Sequence, residues 1–344
     1  LVVVDADGAV FFATASTPGC VRTIKTVAAK AEDVACEPVH PIAALTVDDA
    51  RVYWTADGGS AGALRAKAKS SPASAAASTL LADVDAASLE NGLQMLSATK
   101  NEDGTSAVMF ARTGTDFADA TRVIVDEHGA VTFNVDYADS PPTFYSNPSA
   151  TIVVPDGAPP GAFLGASVDG KAALAYRLLD DDESGGAFGF EGFADFSGVH
   201  DPPGTVTALV PLKDDASLLA IGTSTSDGSG ELLQMGTGTF NPQILAAHPD
   251  PDSPSTHASA LATDGTSLYY ATAGTPAAGK KRGVFRLALF TPGAKPERLV
   301  DLDVDGGGIA VDAKNARLVW AEPANDRIRS VALPISTFRL RHAF

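Results

Sequence analysis

Thr46-Val47-Asp48-Asp49-Ala50-Arg51-Val52-Tyr53-Trp54-Thr55 is the stretch on which the fold turns. An apolar pair, or Val or Thr, leads into Asp; a short turn follows, then an aromatic or aliphatic run that closes on Thr or Ala. The same grammar occurs as Val3-Val4-Asp5 before Val10-Phe11-Phe12-Ala13. It returns as Ala262-Thr263-Asp264 before Leu268-Tyr269-Tyr270-Ala271, and as Ala310-Val311-Asp312 before Leu318-Val319-Trp320-Ala321. Asp5 and Asp48 are 43 residues apart, Asp264 and Asp312 are 48 apart, and the 216 residues between Asp48 and Asp264 leave room for four or five more units. A recurrence of roughly 40 to 50 residues marks a propeller or a related repeat array.

Between these phrases, runs of Val, Ile, Leu, Thr, Phe and Tyr alternate with clusters of Gly, Asp, Asn and Pro, and helical periodicity is nearly absent. That is the pattern of many short antiparallel strands. The expectation is an all-β chain forming a single β-propeller of four-stranded blades, with seven blades favoured and eight as the alternative count. The blades fall at about 1–40, 41–84, 85–135, 160–204, 205–247, 257–303 and 307–344, the last with Thr337 to Ala343 as its outer strand. The stretch 136–159 carries Pro141, Pro142, Pro148 and Pro159 and reads as an insertion or a degenerate blade, because proline is poorly tolerated in central strands. The Ala/Ser-rich stretch 66–79 reads as a surface connection. Radial repetition of such units leaves only short, protected sheet edges.

Composition bounds the partners. Hydrophobic residues make up 45% of 344 positions, ample for a large core, and the formal charge is −17. A field of that sign repels nucleic acid and anionic membranes and favours cations or basic partners. No apolar run approaches the roughly 18 residues of a membrane-spanning helix. The first residue is Leu, so either a targeting segment has been removed or the given chain begins late. The two cysteines, Cys20 and Cys36, lie sixteen positions apart without Cys-x-x-Cys or neighbouring His spacing. They read as a disulfide in an oxidising compartment, hence a secreted, periplasmic or cell-surface location.

Tyr53-Trp54-Thr55-Ala56-Asp57 and Leu318-Val319-Trp320-Ala321-Glu322 resemble the strand that names YWTD propellers, and Gly307-Gly308-Ile309-Ala310-Val311-Asp312 looks like the inner strand of NHL-type repeats. The resemblance implies a propeller with its Ile/Val-rich strands nearest the axis and its aromatic strands packed between sheets. It carries over no catalytic residue. In that setting Asp5, Asp48, Asp264 and Asp312 stand at the turn leaving the first strand, where an Asp side chain bonds the backbone of the turn it opens.

Asp301-Leu302-Asp303-Val304-Asp305-Gly306, with Asp312 at loop position twelve, is close to a calcium loop: alternating carboxylates supply hard oxygens and Gly supplies the sharp turn. Calcium is the one cofactor this pattern would take. Against it, position twelve is Asp rather than Glu, no flanking helices are expected, and 308–312 are needed as a strand. The alternative is an acidic inter-blade connection. Phe188, Phe190, Phe193 and Phe196, beside the acidic run Asp180 to Glu183, form either a sugar- or partner-stacking platform or part of the core. The six histidines show no metal spacing, and no Gly-x-Ser-x-Gly elbow is present.

The functional expectation is a binding or structural interaction module engaging protein or carbohydrate at a loop face, with no nucleic-acid partner. One alternative is a calcium-dependent lactonase-like hydrolase with an axial metal. The other is a subunit of an extracellular filament or surface layer that assembles with itself.

Overall fold

The computed structural model describes residues 1–14, 18–26, 29–37, 41–56, 61–85, 93–100, 104–113, 118–137, 146–154, 161–168, 171–178, 192–195, 204–212, 218–225, 227–236 and 242–334. These residues form seven antiparallel sheets. The first contains β1 (Val2–Val4), β2 (Val10–Ala13), β3 (Gly19–Ile24) and β4 (Glu32–Glu37); the second contains β5 (Ile42–Val47), β6 (Arg51–Ala56), β7 (Ala61–Ala68) and β8 (Ser78–Asp85). The third is built from β9 (Leu93–Lys100), β10 (Ser106–Thr113), β11 (Ala118–Val125) and β12 (Val131–Tyr137). The fourth has β13 (Ser146–Val154), β14 (Gly161–Val168), β15 (Lys171–Leu178) and β16 (Gly192–Asp195). The fifth has β17 (Gly204–Pro211), β18 (Leu218–Thr225), β19 (Leu232–Gly236) and β20 (Gln243–Ala246). The sixth has β21 (Thr256–Thr263), β22 (Ser267–Gly274), β23 (Arg282–Ala288) and β24 (Glu297–Leu302). The seventh has three strands, β25 (Ile309–Asp312), β26 (Arg317–Glu322) and β27 (Arg327–Ala332), and the expected outer strand at 337–343 lies outside the described residues.

Each sheet is a meander in sequence order. The first strands follow one another around a ring, β1 beside β5, β5 beside β9, and so on to β25, which returns to β1. This is a β-propeller. The stretch 136–159 is not an insertion throughout: β12 runs to Tyr137, and β13 is the first strand of the fourth sheet. Pro148 is accommodated because β13 pairs only with β14 within its sheet and the register shifts between Ser146 and Ala150. The 66–79 stretch is likewise more ordered than a surface connection, since β7 continues to Ala68 and β8 begins at Ser78. Ala66 is buried in β7, where a small side chain fits between sheets.

Burial is greatest on second strands and falls toward the outer edge of the sheets. All six residues of β6 and of β26 are buried, whereas β4, β24 and β27 are largely half-buried or exposed. A strand with sheets on both sides has no solvent face, which is why Val52-Tyr53-Trp54 and Leu318-Val319-Trp320 read as unbroken apolar runs. Successive side chains still point to opposite faces. Tyr53 packs with Val108 and Val123 of the third sheet, while Trp54 packs with Phe11 and Val21 of the first. Tyr269 and Tyr270 divide in the same way between the seventh and fifth sheets, and Val319 and Trp320 between the first and sixth.

The repeated aspartates organise the turns at one end of the ring. Asp48 Oδ1 accepts the backbone N–H groups of Ala50 and Arg51 at 2.7 and 2.6 Å, and Oδ2 accepts the hydroxyls of Tyr53 and Ser106 at 2.7 and 2.5 Å. Ser106 belongs to the third sheet, so one carboxylate shapes its own turn and fastens the neighbour. Asp5 does the same, bonding Asp7 N and Ala9 N with Oδ1 and the Lys69 ammonium of the second sheet with Oδ2. Fully buried Asp312 accepts from Arg317 Nε at 2.6 Å, and Arg317 reaches the Gly8 carbonyl of the first sheet at 3.5 Å. Gly8 has φ +79°, and a Cβ there would stand 2.4 Å from Asn315 Nδ2, so this closure of the seventh sheet on the first requires glycine.

Burial raises the Asp48 pKa, but the hydrogen bonds from Ser106, Tyr53, Arg51 and Ala50 outweigh it and hold the group below its usual value of 3.8. The stabilisation is therefore present above that pH and is lost as pH falls through the lower folded-state value. Asp48→Asn is expected to unfold at lower denaturant concentration at neutral pH and to show a flatter loss of stability below about pH 4 than the parent. Urea titrations across that range check it, and parallel acid profiles for the two proteins would refute the assignment.

Candidate functional site

The segment from 301 to 312 runs from the outer strand of the sixth sheet to the inner strand of the seventh. Its carboxylates do not gather. Asp301 lies 3.3 Å from Arg298, Asp303 lies 2.8 Å from Lys281, Asp305 lies 2.6 Å from Arg282, and Asp312 is held by Asn315 and Arg317. The Lys281 ammonium, by hydrogen bonding and by charge, holds Asp303 below the usual carboxylate range. Gly306 and Gly307 donate to the carbonyls of Thr272 and Ala321 at 3.1 and 2.9 Å. A Cβ on Gly306 would come within 2.4 Å of the Ala271 Cβ, so these glycines serve the close passage of chain between sheets.

Cys20 and Cys36 are joined in a disulfide, directly opposite each other on β3 and β4. Among the described residues, Cys20, Asp33 and Cys36 are the one group of three ligand-type residues with atoms within 4.8 Å of one another. The two sulfurs are bonded to each other, so that group is a staple beside a carboxylate rather than a thiolate metal centre. Phe193 lies on β16 opposite Ala175, and Phe188, Phe190 and Phe196 fall outside the described residues.

Two clefts open at the end of the ring where first-to-second and third-to-fourth strand turns emerge. The first, of about 420 Å³, lies between the first and second sheets. Two lysines of the second sheet build it. Lys69 bonds Asp5 at 2.9 Å and sits 5.5 Å from the centre of the Phe11 ring. Lys67, 4% exposed, donates to the carbonyls of Val34 and Ala73 at 2.7 and 2.9 Å, tying β4 to the turn that follows β7. Burial lowers the Lys67 pKa. The lining carries five carboxylates, Asp5, Asp7, Glu32, Asp33 and Asp49, against two lysines, Lys25 and Lys69. Glu32 pairs with Lys25, while Asp33 and Asp7 pair outward with Arg22 and Lys314. Asp49 has no ion-pair partner among the described residues. Thr23, 5% exposed, lines the same cleft, and its hydroxyl has no hydrogen-bond partner among the described residues.

The second cleft, of about 500 Å³, lies between the fifth and sixth sheets, and the described residues lining it are all uncharged, among them Gln234, Ile244, Leu287 and Phe290. Neither cleft was marked by motif. Each is assembled from turns of neighbouring sheets, such as Asp5 with Lys69, which no local spacing connects.

The fold is shared; a family is not found. No protein-family model matches the chain, and no curated protein sequence matches it. Among solved structures, a chain of the mitotic checkpoint complex is similar at 12% identity with a TM-score of 0.63, the match covering 97% of this chain and 90% of that one. Hydrazine synthase of Kuenenia stuttgartiensis is similar at 12% identity with a TM-score of 0.66, covering 97% and 95%. A puromycin-hydrolyzing peptidase of Mycobacterium tuberculosis is similar at 14% identity with a TM-score of 0.53, covering 85% of this chain and 42% of that one. At such identities the likeness is one of architecture.

Two outcomes follow for the stability of the first cleft. Cys20→Ser with Cys36→Ser should lower stability by about 3 kcal/mol, the loop-closure contribution of a bridge of this span. Lys67→Met should cost about 1–3 kcal/mol by removing two charge-assisted hydrogen bonds to the Val34 and Ala73 carbonyls. Urea unfolding measures both, and a Lys67→Met protein as stable as the parent would show that the ammonium does not tie the sheets.

Proposed function

We propose that this chain is an exported or cell-surface propeller of the YWTD/NHL-like kind that acts as a binding and structural interaction module through its loop faces. The observation that carries this reading is the charged cleft between the first two sheets. Its walls come from separate sheets held by Lys67 and Lys69, and among the described residues its rim presents Asp49 without a cation and its wall a Thr23 hydroxyl without a hydrogen-bond partner. The exposed Glu32–Lys25, Asp33–Arg22 and Asp7–Lys314 pairs contribute little in water and exchange readily for an incoming group. With a formal charge of −17 behind it, the cleft favours a basic partner segment. The disulfide supports placing the chain in an oxidising compartment. Asp301, Asp303, Asp305 and Asp312 are each engaged by a different basic residue, which argues against calcium in that loop.

The test compares a lysine-rich with a glutamate-rich peptide by fluorescence anisotropy at low and moderate salt. The lysine-rich peptide should bind, and Asp49→Lys should weaken it by on the order of 1 kcal/mol, about fivefold. Asp252→Lys makes the same charge change at the opposite end of the ring and should have much less effect. Equal loss in both variants would reduce the result to bulk charge and sink the cleft as the binding site.

A further inference from the structure

We propose that the cleft between the fifth and sixth sheets is a carbohydrate subsite, in which Phe290 stacks on an uncharged sugar ring and the Gln234 amide bonds its hydroxyls. This goes beyond the charged cleft and involves none of its residues.

Phe290 is the observation that needs an explanation. It sits in the turn after β23 with φ +57°, in the left-handed region that a residue with a Cβ enters at a cost, and its side chain is 60% exposed. Glycine would make this turn without strain. A large apolar side chain at such a position gains little from burial, so the fold alone gives no reason for phenylalanine. An aromatic held open on a rim is, however, a stacking surface.

The surroundings select the ligand class. The ten described residues lining the cleft are uncharged, in a chain whose formal charge is −17. Among them a charged ligand would find no counter-ion. Ile244 on the outermost strand β20 is 48% exposed and forms apolar surface on the wall facing Phe290 from the other sheet. Gln234, which lines the cleft, donates from Nε2 to Gln243 Oε1 at 3.1 Å, which leaves its own oxygen as an acceptor for a hydroxyl. Sugar hydroxyls both donate and accept, and one face of a pyranose presents C–H groups to an aromatic ring. The volume, about 500 Å³, lies within the ordinary range for small-molecule sites. A second copy of the chain is the poorer occupant, since docking it would oppose two bodies of −17 each.

The experiment is calorimetric titration of the full chain with cellotetraose, maltotetraose, xylotetraose and chitotriose, alongside thermal melts and sedimentation of each variant. At least one sugar should bind saturably. Phe290→Ala should weaken that binding by roughly five- to tenfold, and Phe290→Trp should retain it. Phe290→Gly should lose binding as Phe290→Ala does but melt at the same or a higher temperature than the parent, because it removes the left-handed strain. Gln234→Ala, which leaves the turn intact, should also weaken binding. No binding of any of the four sugars overturns the proposal, as does binding that survives Phe290→Ala. A Phe290→Gly protein that melts well below the parent would make the side chain structural, and concentration-dependent dimers lost in Phe290→Ala would make the cleft a self-docking surface; either result overturns it. Because the probes are neutral sugars, failure here leaves the interaction-module reading at the charged cleft standing, and failure of the lysine-rich peptide leaves this one standing.

Discussion

The second strand of a sheet such as β6 or β26 has no polar face, and the rest of the molecule follows from that. Two fully buried aromatics in succession, Tyr53 and Trp54, need apolar surface on both sides of one sheet. A flat stack of sheets would satisfy the inner members and leave the two outermost ones bare. A ring has no outermost member: Val319 finds Val2 and Val10, and the seventh sheet closes on the first. Burying one such side chain is worth about 1.5–3 kcal/mol, so repeating the arrangement around the ring offsets much of the entropy of ordering so many short strands.

Closure raises a second problem, because the turns at the ends of these buried strands carry backbone N–H groups into crowded surroundings. An aspartate at the exit of the first strand resolves it with two oxygens. One accepts from the turn, and the other accepts from the neighbouring sheet in Asp5 and Asp48, from Tyr269 of its own sheet in Asp264, and from Arg317 in Asp312. The Asp312–Arg317 pair is nearly inaccessible to water, and removing one partner from such a pair costs about 3–5 kcal/mol because the other is left as a buried charge. Asp312, the twelfth position of the calcium-like loop, is therefore committed to holding the ring closed.

Legibility in the sequence tracks this division. The first, second, sixth and seventh sheets announced themselves because their doubly buried strands and turn aspartates are local in sequence, within about ten residues of each other. The fifth sheet is legible from strand pattern: Leu219, Ala220 and Ile221 fill the place of an aromatic pair, and Asp214, five residues before Leu219 as Asp48 is before Tyr53, has no aromatic run behind it to complete the phrase. The start of the fourth sheet was misread because Pro148 argues against a central strand, whereas β13 pairs on one side only and tolerates the irregularity. The Asp126 turn between β11 and β12, which repeats the Asp5 hydrogen-bonding pattern at the other hairpin of a sheet, carries no aromatic strand behind it to draw the eye. Both clefts escaped notice for a geometric reason. Asp5 and Lys69 are 64 positions apart, and Gln234 and Phe290 are 56 apart, and only closure of the ring makes them neighbours.

This geometry also explains why recognition would sit at the rim. The aspartates at the ends of first strands are occupied by turns and inter-sheet bonds, and altering them threatens closure. Farther out, β4, β20 and β24 are paired within their sheets on one side only, and the turns beside them can vary without disturbing a doubly buried strand. Lys67 shows the intermediate case: its ammonium is satisfied by two carbonyls rather than by a carboxylate, so it fixes the distance between two sheets without neutralising the acids on the rim above it. Phe290 shows the outer extreme, a strained and exposed side chain that the core neither requires nor protects. A fold that concentrates its stability in the ring can carry such residues on its periphery, and the cost of each is confined to its own turn.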